Sequence, residues 1–400
     1  MKYIIILGDG MADQPIEELG NITPMAYAKT PNLDRLSKIS EVGMVHTIPE
    51  GMTPGSDTAN LSVLGYDPRK YYSGRSPLEA LNIGVPMKDT DIAIRCNFVT
   101  VSSEEEDFEE KSMIDHSSSE ISTKDAAILL EEIKSKLADE IYSFYVGTSY
   151  RHCLIWKEGE VVDLTAPHDI LGKKIGSYLP ENIQLREMMK RSYKILSEHP
   201  LNLERIKNGL HPANCCWFWG AGTKPALTDF SKKTGKKGMM ISAVDLLKGI
   251  AVGSNMGVAN VEGANGGLHT NYQGKMEAAV EALTKQGYDF TYIHVEAPDE
   301  MGHQGDAQKK VLAIEYLDEK VIGPFVDRMD SLGIAFRMLV LPDHPTPICL
   351  RTHTSDNVPF LLYDSTASFN GVEEYNEKTG ASTKILYKKG HELIDHLFEK

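Results

Sequence analysis

The stretch YIIILGDG, residues 3–10, is a short, continuous apolar run that ends in a glycine, an acidic residue and a second glycine. A run of this length without polar alternation is typical of a strand that is buried on both faces, as in a parallel sheet. Two later stretches have the same form, FTYIHVEA at 290–297 and FRMLVLPD at 336–343, and each ends on or leads into an acidic residue. Together the three segments predict a buried parallel sheet.

The segments between these predicted strands have helical periodicity, as in TNYQGKMEAAVEALTKQG (270–287) and QKKVLAIEYLDEKVIGPFVDRMDSLG (308–333). Gly287 and Gly333 stand where helix C-caps are expected. A further strand-and-helix segment, GMMISAVDLLKGIAVG (238–253), precedes them. Strands that alternate with helices in this way predict an α/β fold with a mostly parallel sheet flanked by helices.

The middle of the chain has a different pattern. From about Pro86 it contains a strand (DIAIRCNFVTV), an acidic stretch (SSEEEDFEEK), a helix, two short strands (YSFYVG and RHCLIW) and a second helix. Strands joined by local connections predict a small α+β module. Because α/β patterns flank this module on both sides, we predict a domain inserted at 87–208 into a discontinuous domain formed by 1–86 and 209–400.

The composition is that of an ordinary soluble protein. The chain has 400 residues, of which 41% are hydrophobic, enough to bury a large core. Its formal charge of −15 argues against nucleic acid or an anionic membrane as a partner. No run approaches the roughly 18 uncharged apolar residues of a membrane helix, and the N-terminus lacks the pattern of a signal peptide. Five scattered cysteines without a CxxC pair are typical of a reducing compartment, so we expect a cytoplasmic protein.

Acidic residues follow the predicted strands. In open α/β sheets, ligands bind outside the carboxyl ends of the strands, so Asp9, Asp299 and Asp343 should point toward a common crevice. Three histidines accompany them in the sequence: His303, His344 and His353. One aspartate after a strand is usually a turn former or an N-cap, but here three strand ends share the pattern. Carboxylates and imidazoles without thiolates suit Mn²⁺, Zn²⁺ or Mg²⁺, and the sequence therefore indicates a metal site.

The segment EGMTPGSDTANLSVLGYDP, residues 50–68, contains a serine at the start of a predicted short helix. Glycines and prolines hold GMTPGS out of regular structure, and SDTANLSVLG then forms a helix that is closed by Gly65. Ser56 has two possible roles at the start of this helix. It is either an N-cap, for which serine is preferred, or a nucleophile whose phosphoryl group is favoured by backbone amides and the helix dipole. The segment alone leaves both roles open.

The chain as a whole resembles the archaeal-type, cofactor-independent (2,3-bisphosphoglycerate-independent) phosphoglycerate mutases, which belong to the alkaline phosphatase-like metalloenzyme superfamily. The resemblance covers essentially all residues and rests on eight segments in the family's order: ILGDGMAD, TPGSDTANLSVLGYDP, YYSGRSPLEALNIG, YRHCLIW, NCCWFWGAGTKP, ISAVDLLKGIA, APDEMGHQGD and LPDHPTP. It implies an alkaline phosphatase-like core that binds metal and performs catalysis. The inserted α+β domain would bind the substrate.

The resemblance also implies residue roles and an activity. Two divalent ions (Mn²⁺, Zn²⁺, Co²⁺ or Mg²⁺) would be bound, one by Asp299, His303 and His353 and the other by Asp9, Ser56, Asp343 and His344. Ser56 also matches the serine that becomes transiently phosphorylated. The implied enzyme is an isomerase of glycolysis and gluconeogenesis that interconverts 2-phosphoglycerate and 3-phosphoglycerate without 2,3-bisphosphoglycerate. Its partner would be a small phosphorylated substrate, and the sequence does not indicate an oligomeric state.

The sequence departs from the family in the inserted module. Mutases have an arginine-bearing Asp-x-x-Ala-Gly-Arg-like segment where this chain has IDHSSSEIST (114–123), so arginines that would bind phosphate or carboxylate are missing there. LPDHPTP also departs from the more usual Gly-Asp-His-Ser-Thr-Pro. The arginine loss favours an alternative on the same core, a phosphotransferase such as a homoserine kinase, although the chain has no Walker-type loop. Four residues remain candidates for substrate binding: Arg75, Arg151, His152 and Lys224.

Overall fold

The computed structural model describes residues 1–399 and separates into two compact units. The first unit combines Met1–Tyr72 with the chain from Ala226 onward, and the second comprises Ser73–Pro225. Within the described chain the strands are β1 (Lys2–Gly8), β2 (Glu41–Val45), β3 (Ile92–Val101), β4 (Met113–Asp115), β5 (Tyr142–Thr148), β6 (Arg151–Trp156), β7 (Cys215–Thr223), β8 (Gly238–Ile241), β9 (Gly257–Val258), β10 (Phe290–Val295), β11 (Phe336–Leu341), β12 (Val358–Asp364) and β13 (Leu386–Tyr387).

Helices connect these strands over most of the chain. In the order of the sequence they are α1 (Pro24–Tyr27), α2 (Pro31–Ser37), α3 (Ser56–Val63), α4 (Pro68–Tyr71), α5 (Arg75–Asn82), α6 (Thr123–Leu137), α7 (Ile183–Leu196), α8 (Pro200–Lys207), α9 (Phe230–Thr234), α10 (Asp245–Gly253), α11 (Tyr272–Thr284), α12 (Ala297–Gln304), α13 (Ala307–Leu317), α14 (Gly323–Ser331), α15 (Glu377–Ser382) and α16 (Leu393–Phe398). Among residues 1–399, none of these helices combines the length and the apolar character that crossing a membrane requires.

The first unit is built on an eight-stranded sheet with the order β13-β2-β12-β11-β1-β10-β8-β9. Strand β1 lies between β10 and β11 and is parallel to both, whereas β12 is antiparallel to its two neighbours β11 and β2. Every residue of β10 and β11 is buried, as continuous apolar runs predict. The predicted fold class, a mostly parallel α/β sheet with a separate smaller α+β module, is confirmed.

The register of the three central strands determines where their carboxyl ends lie. Leu7 of β1 is paired with His294 of β10 and with Leu341 of β11, so the three strands end within two residues of one another. The loops that follow them therefore start at the same edge of the sheet. This register positions the acidic residues that follow each strand at one edge.

Local signals account for the helices beside this sheet. The side chain of Asn271 caps α11 by accepting a hydrogen bond from the N–H of Gly274, and Asp306 caps α13 in the same way. Gly305 ends α12 in the left-handed region with a φ of 72°, a conformation that costs glycine little. Helix α11 then packs on β10 and α10 on β8, which covers the apolar faces of those strands.

The second unit is a five-stranded antiparallel sheet with helices packed on it. Strand β3 pairs with β6 along one edge and with β7 along the other. Near its C-terminal end, at Thr100 and Val101, β3 also pairs with the short strand β4. All ten residues of β3 are buried. Helices α6 and α7 pack on β5 and β7, and their apolar residues join one core with those of the sheet.

The boundaries of the second unit differ from the predicted 87–208. The structure places them at Ser73 and Pro225, so α5 and β7 belong to this unit rather than to the discontinuous domain. The reason is that β7 pairs with β3 from Ile92 to Val99, and α5 packs on both strands. Such pairing between distant segments leaves no mark in the local pattern from which the boundaries were predicted.

The segment 114–123 contains an unusual turn. Ser118, Ser119 and Glu120 have φ values of 51°, 54° and 48°, so three successive residues lie in the left-handed region, which each occupies at a cost of roughly 1–2 kcal/mol. The carboxylate of Asp115 offsets this cost by accepting hydrogen bonds from the backbone N–H groups of Ser117 and Ser119. His211 Nδ1 lies 2.9 Å from the same carboxylate.

Replacing Asp115 should destabilise this turn in a pH-dependent manner. Burial raises the pKa of Asp115, but hydrogen bonds from His211, Ser117 and Ser119 outweigh it, and the pKa lies well below its ordinary value. Because the folded pKa is depressed, the stabilisation is complete above the ordinary carboxyl pKa of about 3.9 and is lost as the pH falls below it. Asp115→Asn should lower the free energy of unfolding by about 1–2 kcal/mol at pH 7 and by less at pH 3, measured by urea denaturation.

The matched control for Asp115→Asn is Asp169→Asn, because the Asp169 side chain is largely exposed. This change should alter the free energy of unfolding by less than about 0.5 kcal/mol at each pH. Equal effects of the two substitutions at pH 7 would show that Asp115 does not anchor the turn.

Candidate metal centre

Three carboxylates meet at the edge where the central strands end. Asp9 directly follows β1, Asp343 lies two residues after β11, and Asp299 lies in the first turn of α12, which follows β10. All three are buried, with exposed fractions of 4%, 0% and 8% for Asp9, Asp343 and Asp299. The shared register of the strands thus brings together acidic residues from distant parts of the sequence, of which Asp9 and Asp343 are 334 positions apart.

Two histidines, His303 and His353, lie beside Asp299. His303 lies one helical turn further along α12, and its Nε2 is 3.2 Å from Asp299 Oδ2. The Nε2 of His353 is 3.5 Å from Asp299 Oδ1 and 3.0 Å from His303 Nε2. His303 Nδ1 lies 2.9 Å from the carbonyl oxygen of Arg351 and can only donate to it, so the neutral ring keeps its Nε2 lone pair for a metal.

The residues predicted for the other ion also lie together. The Nε2 of His344 is 3.2 Å from Ser56 Oγ, 3.5 Å from Asp9 Oδ1 and 3.4 Å from Asp343 Oδ2. Asp343 is held by three donors, since the N–H groups of Gly10 and His344 bond to Oδ1 and the amide of Asn60 bonds to Oδ2. His344 also lies close to His353, with ring centroids 4.1 Å apart, so it adjoins both groups of residues.

Ser56 is the first residue of α3, and its hydroxyl makes no capping hydrogen bond. The N-cap position is occupied by Gly55 instead, so the capping role left open by the sequence is not the one that the structure shows. The hydroxyl faces His344. Because Ser56 is at the N-terminus of α3, the positive end of the helix dipole lies beside this hydroxyl. Ser56 thus has the environment of a reactive group.

The donor set fits divalent metal ions. Two ligand atoms at about 2.1 Å from a common ion, separated by an angle of 90–110°, lie roughly 3.0–3.4 Å apart, which the nitrogen and oxygen distances above approach closely. Two groups have all their ligand atoms within 4.8 Å of one another, one formed by Asp299, His344 and His353 and the other by Asp9, His294 and Asp343. Asp9 Oδ1 is buried and has no hydrogen-bond partner among residues 1–399, and a bound cation would satisfy it.

The electrostatics of the cluster also favour a cation. Burial raises the pKa of Asp9 well above its ordinary value, and the negative charges of Asp343 and Asp299 raise it further. Burial lowers the pKa of His344, so its imidazole is neutral and able to act as a ligand near pH 7. Three buried carboxylates repel one another, and divalent ions would remove this repulsion.

A buried polar group behind Asp9 was missed by the sequence analysis. His294 on β10 has no exposed surface, and its ring lies between Asp9 and Glu296, with Nε2 and Nδ1 each 3.1 Å from a carboxylate oxygen. Lys275 of α11, also without exposed surface, donates to Glu296 Oε2 at 2.7 Å. Burial lowers the pKa of His294, but the two carboxylates outweigh it and raise the pKa to about 10. The signal available in the sequence was the pair His294 and Glu296, two polar residues that lie two positions apart at the end of an apolar strand and therefore face the same side.

The four predicted substrate-binding residues all lie in the second unit. Arg75 forms an ion pair with Glu79 at 2.9 Å, the Arg151 guanidinium lies over the Tyr150 ring at 5.4 Å, and Lys224 is 3.5 Å from Asp89. These three remain candidates. His152 differs from them.

The ring of His152 faces the core of the second unit rather than its surface. Only 4% of the residue is exposed, and its ring packs against Phe98 with centroids 4.7 Å apart. Burial lowers its pKa to about 3. We therefore remove His152 from the proposed substrate contacts. The sequence could not show this, because a histidine at the start of a strand can face either side.

Arg95 is a cation of the second unit that the sequence analysis did not single out. It is almost fully buried, its guanidinium lies 4.2 Å from the centre of the Trp219 ring, and its Nε is 2.9 Å from Glu79. Burial lowers its pKa to about 10, Glu79 opposes this shift, and the charges of Arg75 and Arg151 reinforce it. Arg75, Arg95 and Arg151 thus form one positively charged cluster.

The fold and the site define an α/β protein whose central strands end in a candidate centre for two divalent metals. A family model described as 2,3-bisphosphoglycerate-independent phosphoglycerate mutase matches residues 37–202. Proteins of that name from Methanothrix thermoacetophila and Methanosarcina barkeri are 44% and 45% identical to this chain, over 98% of both chains in each case. The chain belongs to the family of 2,3-bisphosphoglycerate-independent phosphoglycerate mutases, which are isomerases.

Solved structures agree with this assignment. A cofactor-independent phosphoglycerate mutase from Thermoplasma acidophilum has 28% sequence identity and a TM-score of 0.66, with 99% of each chain covered. The PH0037 protein from Pyrococcus horikoshii has the same identity and a TM-score of 0.82, with 99% of this chain and 96% of that chain covered. Both comparisons extend over both units of the fold.

Removing the buried cation of Lys275 should destabilise the first unit strongly. Lys275→Met leaves the charge of Glu296 buried without its amine partner, which should lower the free energy of unfolding by about 3–5 kcal/mol. The double variant Lys275→Met/Glu296→Gln removes both charges and should lose less. Urea denaturation of the metal-free proteins measures both effects. A single variant as stable as the parent would show that the amine does not stabilise Glu296.

Proposed function

We propose that this protein is a metal-dependent phosphoglycerate mutase that interconverts 2-phosphoglycerate and 3-phosphoglycerate through a phosphoserine at Ser56. The observation that carries the proposal is the position of the Ser56 hydroxyl, which lies uncapped at the start of a helix and 3.2 Å from His344. Membership of the mutase family supports the substrate and the type of reaction.

The residues at the strand ends would hold two divalent ions. Asp299, His303 and His353 are the proposed ligands of one ion, and Asp9, Ser56, Asp343 and His344 are those of the other. When bound, Mn²⁺, Zn²⁺, Co²⁺ or Mg²⁺ would neutralise charge on the phosphoryl oxygens and lower the pKa of the serine hydroxyl. No 2,3-bisphosphoglycerate is needed, because Ser56 carries the phosphoryl group between the two positions of the substrate.

Neighbouring side chains fix the geometry around Ser56. Asn60, one turn further along α3, donates its amide N–H groups to the Ser56 carbonyl oxygen at 2.8 Å and to Asp343 at 2.9 Å. Its own oxygen accepts a hydrogen bond from the buried Tyr292 hydroxyl, which determines the orientation of the amide. Asn60 thus links the serine helix to a proposed ligand, and this rigidity supports a reaction that depends mainly on positioning and charge neutralisation.

The reaction consists of two phosphoryl transfers. In the first, Ser56 Oγ forms a bond to phosphorus as the phosphorus–oxygen bond of the substrate breaks, and the proton lost by the serine is taken up by the departing glycerate oxygen. After the glycerate reorients, the oxygen of its other hydroxyl forms the new bond to phosphorus as the phosphorus–Oγ bond breaks, and the proton of that hydroxyl passes to Ser56 Oγ. The dipole of α3, whose positive end lies at Ser56, would favour the phosphoryl group.

The two units would divide the work. In this proposal the first unit binds the metals and performs catalysis, and the second binds the substrate through Arg75 and Arg151, with Lys224 as a further candidate. Support comes from the placement of all seven proposed ligands in the first unit and of the three cations in the second. We further propose that the enzyme acts in the cytoplasm on this small phosphorylated substrate, with neither nucleic acid nor a membrane as a partner.

One observation favours a second candidate function, a phosphotransferase with another substrate, such as a homoserine kinase. The segment 114–123 presents serines and a histidine where mutases carry arginines, and Asp115 stabilises it in a left-handed turn. The His116 ring lies 6.0 Å from that of Tyr150 and 6.3 Å from that of His168. An imidazole in this position would bind an anion more weakly than a guanidinium.

Paired assays separate the two functions. The purified protein should convert 3-phosphoglycerate to 2-phosphoglycerate in the presence of Mn²⁺, Zn²⁺, Co²⁺ or Mg²⁺, and a coupled enolase reaction measures the product. In the second assay, with ATP and homoserine, the protein should consume no ATP. Turnover in the assay with ATP and homoserine, without turnover of 3-phosphoglycerate, would overturn the mutase assignment in favour of the kinase. Activity that survives a chelator would contradict the proposed dependence on metal.

Ser56→Ala should abolish phosphoryl transfer while leaving both ions bound, since three other ligands remain for the second ion. We expect turnover to fall by at least about 10³-fold, because no other group at the site replaces the nucleophile. Metal content by elemental analysis and turnover with 3-phosphoglycerate give the two measurements.

Ser62→Ala is the matched control, because Ser62 lies on the same helix and its buried hydroxyl has no hydrogen-bond partner in the part of the chain that the structure describes. It should retain the activity of the parent protein. Appreciable residual turnover of Ser56→Ala would show that another residue accepts the phosphoryl group.

A further inference from the structure

His294 lies between Asp9 and Glu296, on the inner side of the proposed metal centre, with a geometry that an ordinary ion pair does not explain. Its Nε2 lies 3.1 Å from Asp9 Oδ2, yet within the described chain neither this nitrogen nor Asp9 Oδ1 makes a hydrogen bond, although both are buried. A histidine that served only as a partner of Asp9 would donate to it with favourable geometry. A bound cation would satisfy both of these buried ligand atoms, which have charged neighbours but no hydrogen bond.

We propose that His294 Nε2 is a further ligand of the divalent ion that Asp9 and Asp343 bind. The ligand atoms of these three residues all lie within 4.8 Å of one another. The separation of 3.1 Å between His294 Nε2 and Asp9 Oδ2 corresponds to two ligands at roughly 90–100° around one ion, each at about 2.1 Å from it. The inference rests on the metal dependence in the proposed function and adds a ligand that the family resemblance did not supply.

The other side of the ring is arranged as metal-binding histidines require. Nδ1 lies 3.1 Å from Glu296 Oε1, and the same oxygen accepts hydrogen bonds from Ser242 Oγ and from the backbone N–H of Ala243. A carboxylate that accepts the Nδ1 proton fixes the tautomer and leaves the Nε2 lone pair for the ion. Glu296 is therefore a positioning residue for His294.

Lys275 completes this arrangement. Its amine donates to Glu296 Oε2 at 2.7 Å and to the carbonyl oxygen of His294 at 2.8 Å. The negative charge of Glu296 is thus balanced by Lys275, so His294 need not carry a positive charge to remain beside it. Binding of a divalent ion would release the proton from Nε2, and a neutral imidazole would then lie between Glu296 and the ion.

Two substitutions of His294 distinguish its two nitrogens. Asparagine places its amide near the position of Nδ1 and can still bond to Glu296, but it provides no atom near Nε2. Glutamine places an amide oxygen near Nε2 and can still reach the ion. The probe is Co²⁺, whose visible absorption spectrum reports the number and type of its ligands.

We expect the parent protein to bind two Co²⁺ ions, measured by titration and elemental analysis. His294→Asn should bind one of them at least about 10-fold more weakly, with a changed absorption spectrum. His294→Gln should keep both ions, with a spectrum altered by the exchange of a nitrogen for an oxygen ligand. Circular dichroism of the metal-free proteins establishes that each variant is folded, and His294→Gln carries the test if His294→Asn does not fold.

The matched control is His152→Asn, which removes a buried histidine from the second unit and should leave Co²⁺ binding and the spectrum unchanged. Parent-like spectra for both His294 variants would overturn the inference, even with weakened affinity, because His294 would then only orient Asp9. That result would leave the proposed function intact. Failure of the parent protein to bind Co²⁺ would instead overturn the metal dependence on which both proposals rest.

Discussion

The burial of three carboxylates at one edge of the sheet is the constraint to which the surrounding structure responds. Asp9, Asp299 and Asp343 come together because β1 lies between β10 and β11 and is parallel to both. Each would be better solvated alone at a surface, and together they repel one another. Divalent cations would remove this repulsion, and the imidazoles of the same edge are suitable further ligands for such cations.

A second layer of buried polar groups holds this edge in shape. Asn60, oriented by Tyr292, fixes the position of Asp343. Glu296, paired with Lys275, supports the ring of His294. Lys310 joins the loops after β1 and β11. Lys310 also pairs with Asp13 at 2.7 Å without any exposed surface. Ion pairs of this kind contribute little to net stability, since their desolvation cost offsets most of the attraction. Their value here is geometric, because each restricts a proposed ligand or its loop to one orientation.

What the sequence predicted and what it missed follow from how local each signal is. Continuous apolar runs such as residues 3–7 and the aspartates after them are local features, so the parallel sheet and most of the candidate metal centre could be predicted. His294 was missed because a single histidine in an apolar run does not show the face on which it lies, and only its spacing of two positions from Glu296 was a signal that both lie on one face. The limits of the second unit were misplaced because the pairing of β7 with β3 joins residues over 100 positions apart. The left-handed turn at 118–120 depends on contacts with Asp115 and His211. His211 lies far outside residues 114–123, so the sequence of that segment alone could not predict the turn.

In the proposed function, the division into two units separates the chemistry from the choice of substrate. The proposed ligands and Ser56 lie in the first unit, and the chemistry proposed for them requires only a phosphoryl group and an acceptor hydroxyl. On this proposal, recognition of the rest of the substrate falls to the second unit, which contains Arg75, Arg95 and Arg151 and the turn of serines at 118–120. A change confined to that turn would then alter which acceptor is bound without disturbing the proposed ligands of the metals, because those ligands all belong to the other unit.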